Sequence, residues 1–175
     1  MKKFLHSFFL PSFVFFFLFT SVLSAKEKNK ISVDDKSGKP ILLGLCDRTA
    51  FADSNFSWWF DSEMDMYSVD SASLKDISVK MKIVKITLVM GTWCSDSKRE
   101  VPRFYKILDL LGYDQKNLTL ICVDRNKKDP AGEAEKLDIK LVPTFIFYRD
   151  SNEIGRIIET PKESLEKDLT EILLK

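Results

Sequence analysis

The sequence predicts an α/β protein: a central mixed β-sheet flanked by helices, preceded by a helical N-terminal extension. Three observations lead there. Short runs rich in β-branched residues alternate with segments whose apolar residues recur every three or four positions. Two of the apolar runs lie close together near the end, about a short polar turn. The regular alternation begins only at residue 83, after a stretch crowded with aromatics, and from there reads βαβαββα.

Residues 1–25, MKKFLHSFFLPSFVFFFLFTSVLSA, hold eight of the 14 phenylalanines. Two lysines, an apolar run from Phe8 to Leu23 broken by Pro11 and Ser12, and small residues ending at Ala25 are the three parts of a secretory signal peptide. Cleavage is expected near Ser24 or Ala25. The run of about 16 residues is shorter than the roughly 20 a spanning helix needs. The chain is therefore expected to be exported to the periplasm, with no stable membrane span after cleavage; uncleaved, residues 4–23 would anchor it in the membrane. Residues 26–40, charged and poor in large apolar side chains apart from Ile31 and Val33, read as a tether leading into the fold. The domain is expected over 41–175, with the extension at 41–82 and the core at 83–175.

In the extension, Phe56, Trp59, Phe60 and Tyr67 are spaced for one face of a helix or helix pair. A second helix is expected from Asp70 or Ser71 through Met81, with Leu74, Ile77 and Met81 on one side. In the core, residues 83–90 read as a strand buried at its far end and closed by Gly91. Val101, Phe104, Leu108 and Leu111 mark a helix that Gly112 ends. Residues 117–123, NLTLICV, form a second strand, and 131–138 a short helix. Residues 144–148 and 153–158 make an antiparallel hairpin about Asp150-Ser151-Asn152. Thr160-Pro161-Lys162-Glu163 has the pattern of a capping threonine, a proline at the first helical position and a glutamate three after the cap. Leu165, Leu169, Ile172 and Leu173 then line one face of the last helix.

A formal charge of +1 argues against a nucleic-acid partner. Removing residues 1–25 takes Lys2 and Lys3 from the 27 basic side chains and leaves the 26 acidic ones, for a mature charge of −1. His6, the only histidine, goes with them. Ser-His and Cys-His catalytic pairs are thereby excluded from the mature chain. Cys46, Cys94 and Cys122 are 48 and 28 residues apart, which fits neither a metal site nor a closely spaced dithiol. No metal and no organic cofactor is implied. In an exported chain an odd number of cysteines leaves at least one thiol to be explained.

Three features then act together. Trp93-Cys94-Ser95-Asp96-Ser97 follows a strand, Pro102 lies inside the next helix eight residues after the cysteine, and Val142-Pro143-Thr144 precedes the hairpin. On these, residues 83–175 resemble the thioredoxin superfamily. The resemblance implies that Trp93 shields a nucleophilic Cys94, that Pro102 bends its helix, and that Pro143 is cis and faces the cysteine. A closer likeness, to exported bacterial members of that superfamily, extends over the block 44–51, the aromatic segment 59–67, and the motifs around GTWC and EIGRI. Two positions depart from the pattern. The second cysteine falls on Ser97, and the buried acid six residues before the nucleophile falls on Leu88. The losses agree, because that acid manages a proton of the missing thiol.

A cysteine at a helix start meets unpaired N–H groups and the positive end of the helix dipole, which favour thiolate over thiol. Ser97, one turn on, is expected to hydrogen-bond the Cys94 sulfur. Attack on a disulfide gives a mixed disulfide that an outside thiol must resolve. The site therefore suits monothiol exchange or isomerisation, with Cys94, Ser97 and Trp93 as catalytic residues and Val142, Pro143 and Thr144 facing the substrate. Cys46 is the candidate remote thiol and Cys122 a core cysteine. The partners implied are protein thiols or disulfides and low-molecular-weight thiols. The alternative reading is a redox-silent module that holds a peptide or an envelope protein in the same cleft.

Overall fold

The computed structural model describes residues 27–175, so the signal expected at 1–25 lies outside the described residues. Five strands, β3 (Gly44–Cys46), β4 (Val84–Met90), β5 (Leu118–Cys122), β6 (Thr144–Arg149) and β7 (Asn152–Ile158), form one mixed sheet in the order β3-β5-β4-β6-β7. Within it β4 and β5 run parallel, and the other pairs are antiparallel. A parallel pair needs a crossover, which α3 (Ser95–Leu110) supplies. The β6–β7 hairpin turns through Asp150 and Ser151, both left-handed (φ 50° and 66°), the geometry that matches strand twist.

Alternation along the strands divides the core in two. Ile86, Leu88 and Met90 of β4 join Leu120 and Cys122 of β5 in one cluster with Phe104, Tyr105 and Leu108 of α3. Trp59 and Phe60 of α1 (Ser57–Met66) and Leu165, Leu169 and Leu173 of α4 (Leu165–Leu174) complete it. Val89 and Ile121 face the other way, onto Val123, Ala134 and Val142. Trp93 and Cys94 pack against this second cluster. The expected helix near 131–138 is a single 3₁₀ turn at Ala134–Leu137, so the second face has a thin cover.

Three expectations are corrected. Residues 26–40 are not a tether over their whole length. β1 (Ile31–Val33) pairs antiparallel with β2 (Pro40–Leu42), and Gly38 at φ 67° helps close the turn between them. The short apolar runs ISV and PIL on either side of the polar turn DDKSGK carry that hairpin. The helix expected over 71–81 is broken. Asp70 caps a 3₁₀ turn at Ser71–Leu74, and α2 (Ser78–Met81) follows separately, although Leu74, Ile77 and Met81 are all buried as anticipated. The break is tertiary in origin: Thr170 of α4 donates its hydroxyl to the Ser73 carbonyl at 2.7 Å, fixing the first turn to a different helix. The last helix is capped by Ser164, not Thr160, with the Ser164 hydroxyl accepting from Lys167 N. Asp168, buried in that helix, takes the N–H groups of Lys162 and Glu163 at 2.7 and 3.2 Å. Those two residues therefore turn on to the helix end and do not begin it.

At the other end of α3, Gly112 at φ 60° lets Tyr113 N donate to Leu108 O at 3.0 Å, closing the helix as its sequence predicts. β7 is kinked where Ile154 is left over between the pairs Phe147–Gly155 and Tyr148–Glu153. There α4 lies so close that a Cβ on Gly155 would stand 2.9 Å from the Ile172 side chain. Gly155→Val is accordingly expected to destabilise the protein by about 1–3 kcal/mol through overpacking. The loss should appear in urea midpoints, and adding Ile172→Ala should recover part of it.

Candidate active site

β4 carries the chain to Gly91, and α3 begins at Ser95 with Cys94 as its N-cap residue (φ −90°, ψ 131°). Cys94 N donates to Gly91 O at 2.9 Å, and Cys94 O accepts from Lys98 N at 3.1 Å. The cysteine is thus fixed at both of its backbone groups. Its thiol donates to Val142 O at 3.2 Å. The Val142–Pro143 bond is cis, and Thr144, buried behind it, donates its hydroxyl to Leu141 O at 2.7 Å. Trp93 and Cys94 thus pack with Val142, whose carbonyl meets the sulfur, and Pro143 and Thr144 follow it in the chain. Cys94 is partly exposed, whereas Cys46 and Cys122 are buried.

Ser97 has a different part from the one expected. Its side chain is fully buried, and the hydroxyl accepts from Gly91 N at 3.3 Å instead of bonding the Cys94 sulfur. It ties the first turn of α3 to the end of β4.

Trp93 is held on three sides. Its Nε1–H donates to Val123 O at 2.9 Å. Its ring lies against Gly91 so closely that a Cβ there would be 2.5 to 2.8 Å from indole atoms. The Arg125 guanidinium covers the ring with its carbon 5.0 Å from the centroid. Arg125 is in turn gripped by the buried Asp34 of the β1–β2 turn, with Nε 2.8 Å from Oδ1 and an Nη 2.8 Å from Oδ2. This bidentate bond, then the Ser37 hydroxyl, hold the Asp34 carboxyl well below the usual carboxylate range. Leu42 N donates to the buried Thr92 Oγ1 at 3.1 Å, a second tie between the hairpin and the site.

Between the hairpin and α1 lies a cleft of about 490 Å³. Lys39, Trp58, Trp59, Trp93, Lys98 and Arg125 are among its walls. Among the described residues no group of His, Cys, Asp or Glu is arranged to hold a metal ion.

No family model matches the chain. Thioredoxin of Gallus gallus is 26% identical over 102 residues, which is 58% of this chain and 89% of that protein. Thioredoxin of Oryctolagus cuniculus is 32% identical over 84 residues, 47% of this chain and 73% of that protein. The chain belongs to the thioredoxin superfamily. Among solved structures, a Pseudomonas aeruginosa protein of unknown function is similar with a TM-score of 0.49 at 15% identity, over 73% of this chain and 89% of that one. Fasciola hepatica thioredoxin gives 0.38 at 19% identity, over 59% and 91%.

Two positions of the superfamily pattern are altered in this chain. Ser97 stands where a second sulfur would, and Leu88, fully buried in the larger core cluster, stands where an acid would. Cys46 does not supply the missing thiol. It belongs to the cluster beneath α3, on the sheet face opposite to Cys94, and its neighbour is Cys122. The hydrogen bond with Cys46, together with burial, pushes the Cys122 thiol up. Asp34, Thr92 and Gly91 escape a reading by motif. Their signals are faint: a strand-turn-strand alternation at 31–42 and a glycine two residues before a tryptophan.

Two outcomes are expected. Gly91→Ala should drive the Trp93 ring off its seat, lowering stability by about 1–3 kcal/mol. It should also shift tryptophan emission and raise the rate at which Cys94 is alkylated. Asp34→Asn should lower the urea midpoint at neutral pH. Because the folded carboxyl is depressed, its stabilisation is complete above the ordinary value of 3.8 and disappears as pH falls below it. The gap between wild type and variant should therefore narrow below about pH 3.8, and a constant gap would remove Asp34 ionisation as its source.

Proposed function

We propose that this protein carries out thiol–disulfide exchange in the cell envelope through a single nucleophile, Cys94. One observation carries the reading: of the three thiols only Cys94 is partly exposed, and it stands at the start of α3 against the carbonyl before cis Pro143. Superfamily membership supports thiol–disulfide chemistry with protein thiols or disulfides as partners. The apolar leader at 1–25 supports export to the periplasm. Among the described residues no helix is long and apolar enough to cross a membrane.

The exchange balances without an added oxidant or reductant. The Cys94 thiolate attacks one sulfur of a partner disulfide. A new S–S bond forms, the old one breaks, and the other partner sulfur leaves as a thiolate. A thiolate from the same partner or from solution then attacks the partner sulfur of the mixed disulfide and releases Cys94. When Cys94 loses its proton it can no longer donate to Val142 O, so that carbonyl is free to accept a backbone N–H from the bound partner. Nucleophile release and strand pairing thus use one acceptor in turn. Ser97 has no sulfur and cannot complete an intramolecular disulfide, which leaves resolution to an external thiol.

With a peptide disulfide as probe, mass spectrometry of the acid-quenched native protein should find the adduct on Cys94 and none in Cys94→Ser. Cys46 and Cys122 should react at least ~100-fold more slowly in the fold than after denaturation, because reaction requires local opening. Ser97→Cys should raise insulin-disulfide reduction by about tenfold or more, since the second thiol becomes intramolecular. Adducts forming equally well in Cys94→Ser, or partner capture unchanged in that variant, would overturn the exchange reading in favour of a redox-silent binding module.

A further inference from the structure

The cleft beside Trp93 lies next to the reacting sulfur and does not contain it: neither Cys94 nor Val142 is among its walls, although its Lys98 and Arg125 feel the charge of Cys94. Its walls come largely from outside the βαβαββα core. The β1–β2 hairpin contributes Lys39 and the residues around it, and the start of α1 contributes Trp58 and Trp59. The core contributes Trp93, Lys98 and Arg125.

The charges in it are of one sign. Lys39, Lys98 and Arg125 line the cleft and no carboxylate does. Arg125 is neutralised from behind by Asp34. Lys39 and Lys98 have no carboxylate partner among the described residues. Burial, and then the charge on Lys39, push the Lys98 amine below its ordinary value. The Cys94 charge acts on Lys98 in the opposite direction and does not cancel this, so two like charges share a cleft without a carboxylate, an arrangement that an anion would relieve.

The aromatic groups point the same way. Lys98 Nζ stands 5.7 Å from the Trp58 ring centroid and 6.0 Å from that of Trp59. Trp58 is 67% exposed, yet it is oriented, because its Nε1–H donates to Asn55 O at 3.2 Å. An exposed, pre-oriented tryptophan beside a cation is the kind of residue that anchors binding surfaces.

We propose that this cleft binds an acidic peptide segment of the protein on which Cys94 acts, its carboxylates meeting Lys39 and Lys98 and an apolar side chain resting on Trp58. The inference depends on the reading of Cys94 as a nucleophile toward a protein. Lys98 is one helical turn beyond Cys94, a rise of about 6 Å. An extended partner advances about 3.3 Å per residue, so its acidic side chains should lie about two to four residues from its reacting cysteine.

The test uses the Cys94→Ser protein, in which binding is read without exchange. Three fluorescein-labelled decapeptides share a central serine and one phenylalanine. They carry Glu, Gln or Lys two to four residues from the centre. By fluorescence anisotropy at 0.15 M salt the Glu peptide should bind about tenfold more tightly than the Gln peptide, and the Lys peptide most weakly. Joint Lys39→Gln and Lys98→Gln substitution should erase that order with no change in melting temperature, and Trp58→Ala should weaken the Glu and Gln peptides alike. Equal affinity for the three peptides, or a preference that survives the lysine substitutions, would overturn the proposal. Displacement of the Glu peptide by glutarate at the concentration at which unlabelled peptide displaces it would overturn it too, assigning the cleft to a small dicarboxylate. Intact exchange by wild type with no acidic preference defeats this inference alone, whereas acidic binding without exchange defeats the reading of Cys94.

Discussion

The indole of Trp93 lies flat on Gly91, and the rest of the site is arranged around that contact. A side chain at 91 would occupy space already filled by the ring. With the ring seated, its Nε1–H reaches Val123 O at the end of β5, and its other face is open to Arg125. Arg125 needs a counter-charge, and Asp34 provides it from a hairpin that is also held by the buried Leu42 and its bond to Thr92. The order of dependence runs from a missing Cβ to a ring, from the ring to a cation, and from the cation to the hairpin. The cationic cleft exists because the hairpin is docked there.

A second constraint separates the thiols. The alternation of β4 and β5 directs Leu88, Met90 and Cys122 beneath α3, and Val89 and Ile121 to the face against which Cys94 packs. Cys46, opposite Leu120 in the register of β3 on β5, shares the side of Cys122. No rotamer brings it to Cys94 across a packed sheet. Neither of the other two thiols therefore lies near Cys94, and the Ser97 hydroxyl is used to hold α3 to β4. The Cys94 sulfur and the Val142 carbonyl thus stay together on one face, with the two buried thiols on the other.

Much of this was open to reading before any coordinates. The strands from 84 to 158, the α3 face of Val101, Phe104 and Leu108, and its stop at Gly112 follow from periods of two and 3.6 and from one left-handed residue. Cys94 at a strand-to-helix junction follows from the residues around it, whereas its meeting with Val142 and Pro143, 48 residues on, was implied only by the superfamily resemblance. The helix caps were less legible. Thr160 has the right neighbours for a cap, yet Ser164 serves, because Asp168 is buried where it can collect the N–H groups of Lys162 and Glu163. The Ser97–Cys94 bond was anticipated from a spacing of three, but the Gly91 N–H lies in reach of the same hydroxyl.

What the residues alone determined is the local part: which segments alternate, where helices stop, which cysteine sits at a helix start, and that residue 97 carries no thiol. These depend on neighbours within a few positions along the chain. What only the tertiary structure decided is who meets whom across long separations: Asp34 with Arg125, Leu42 with Thr92, Cys46 with Cys122, and Lys98 with Trp58. Each is a pairing of groups far apart in sequence, brought together by burial of the sheet and docking of the extension. Burial has a direction only once the strands have an order, and that order is a property of the folded chain.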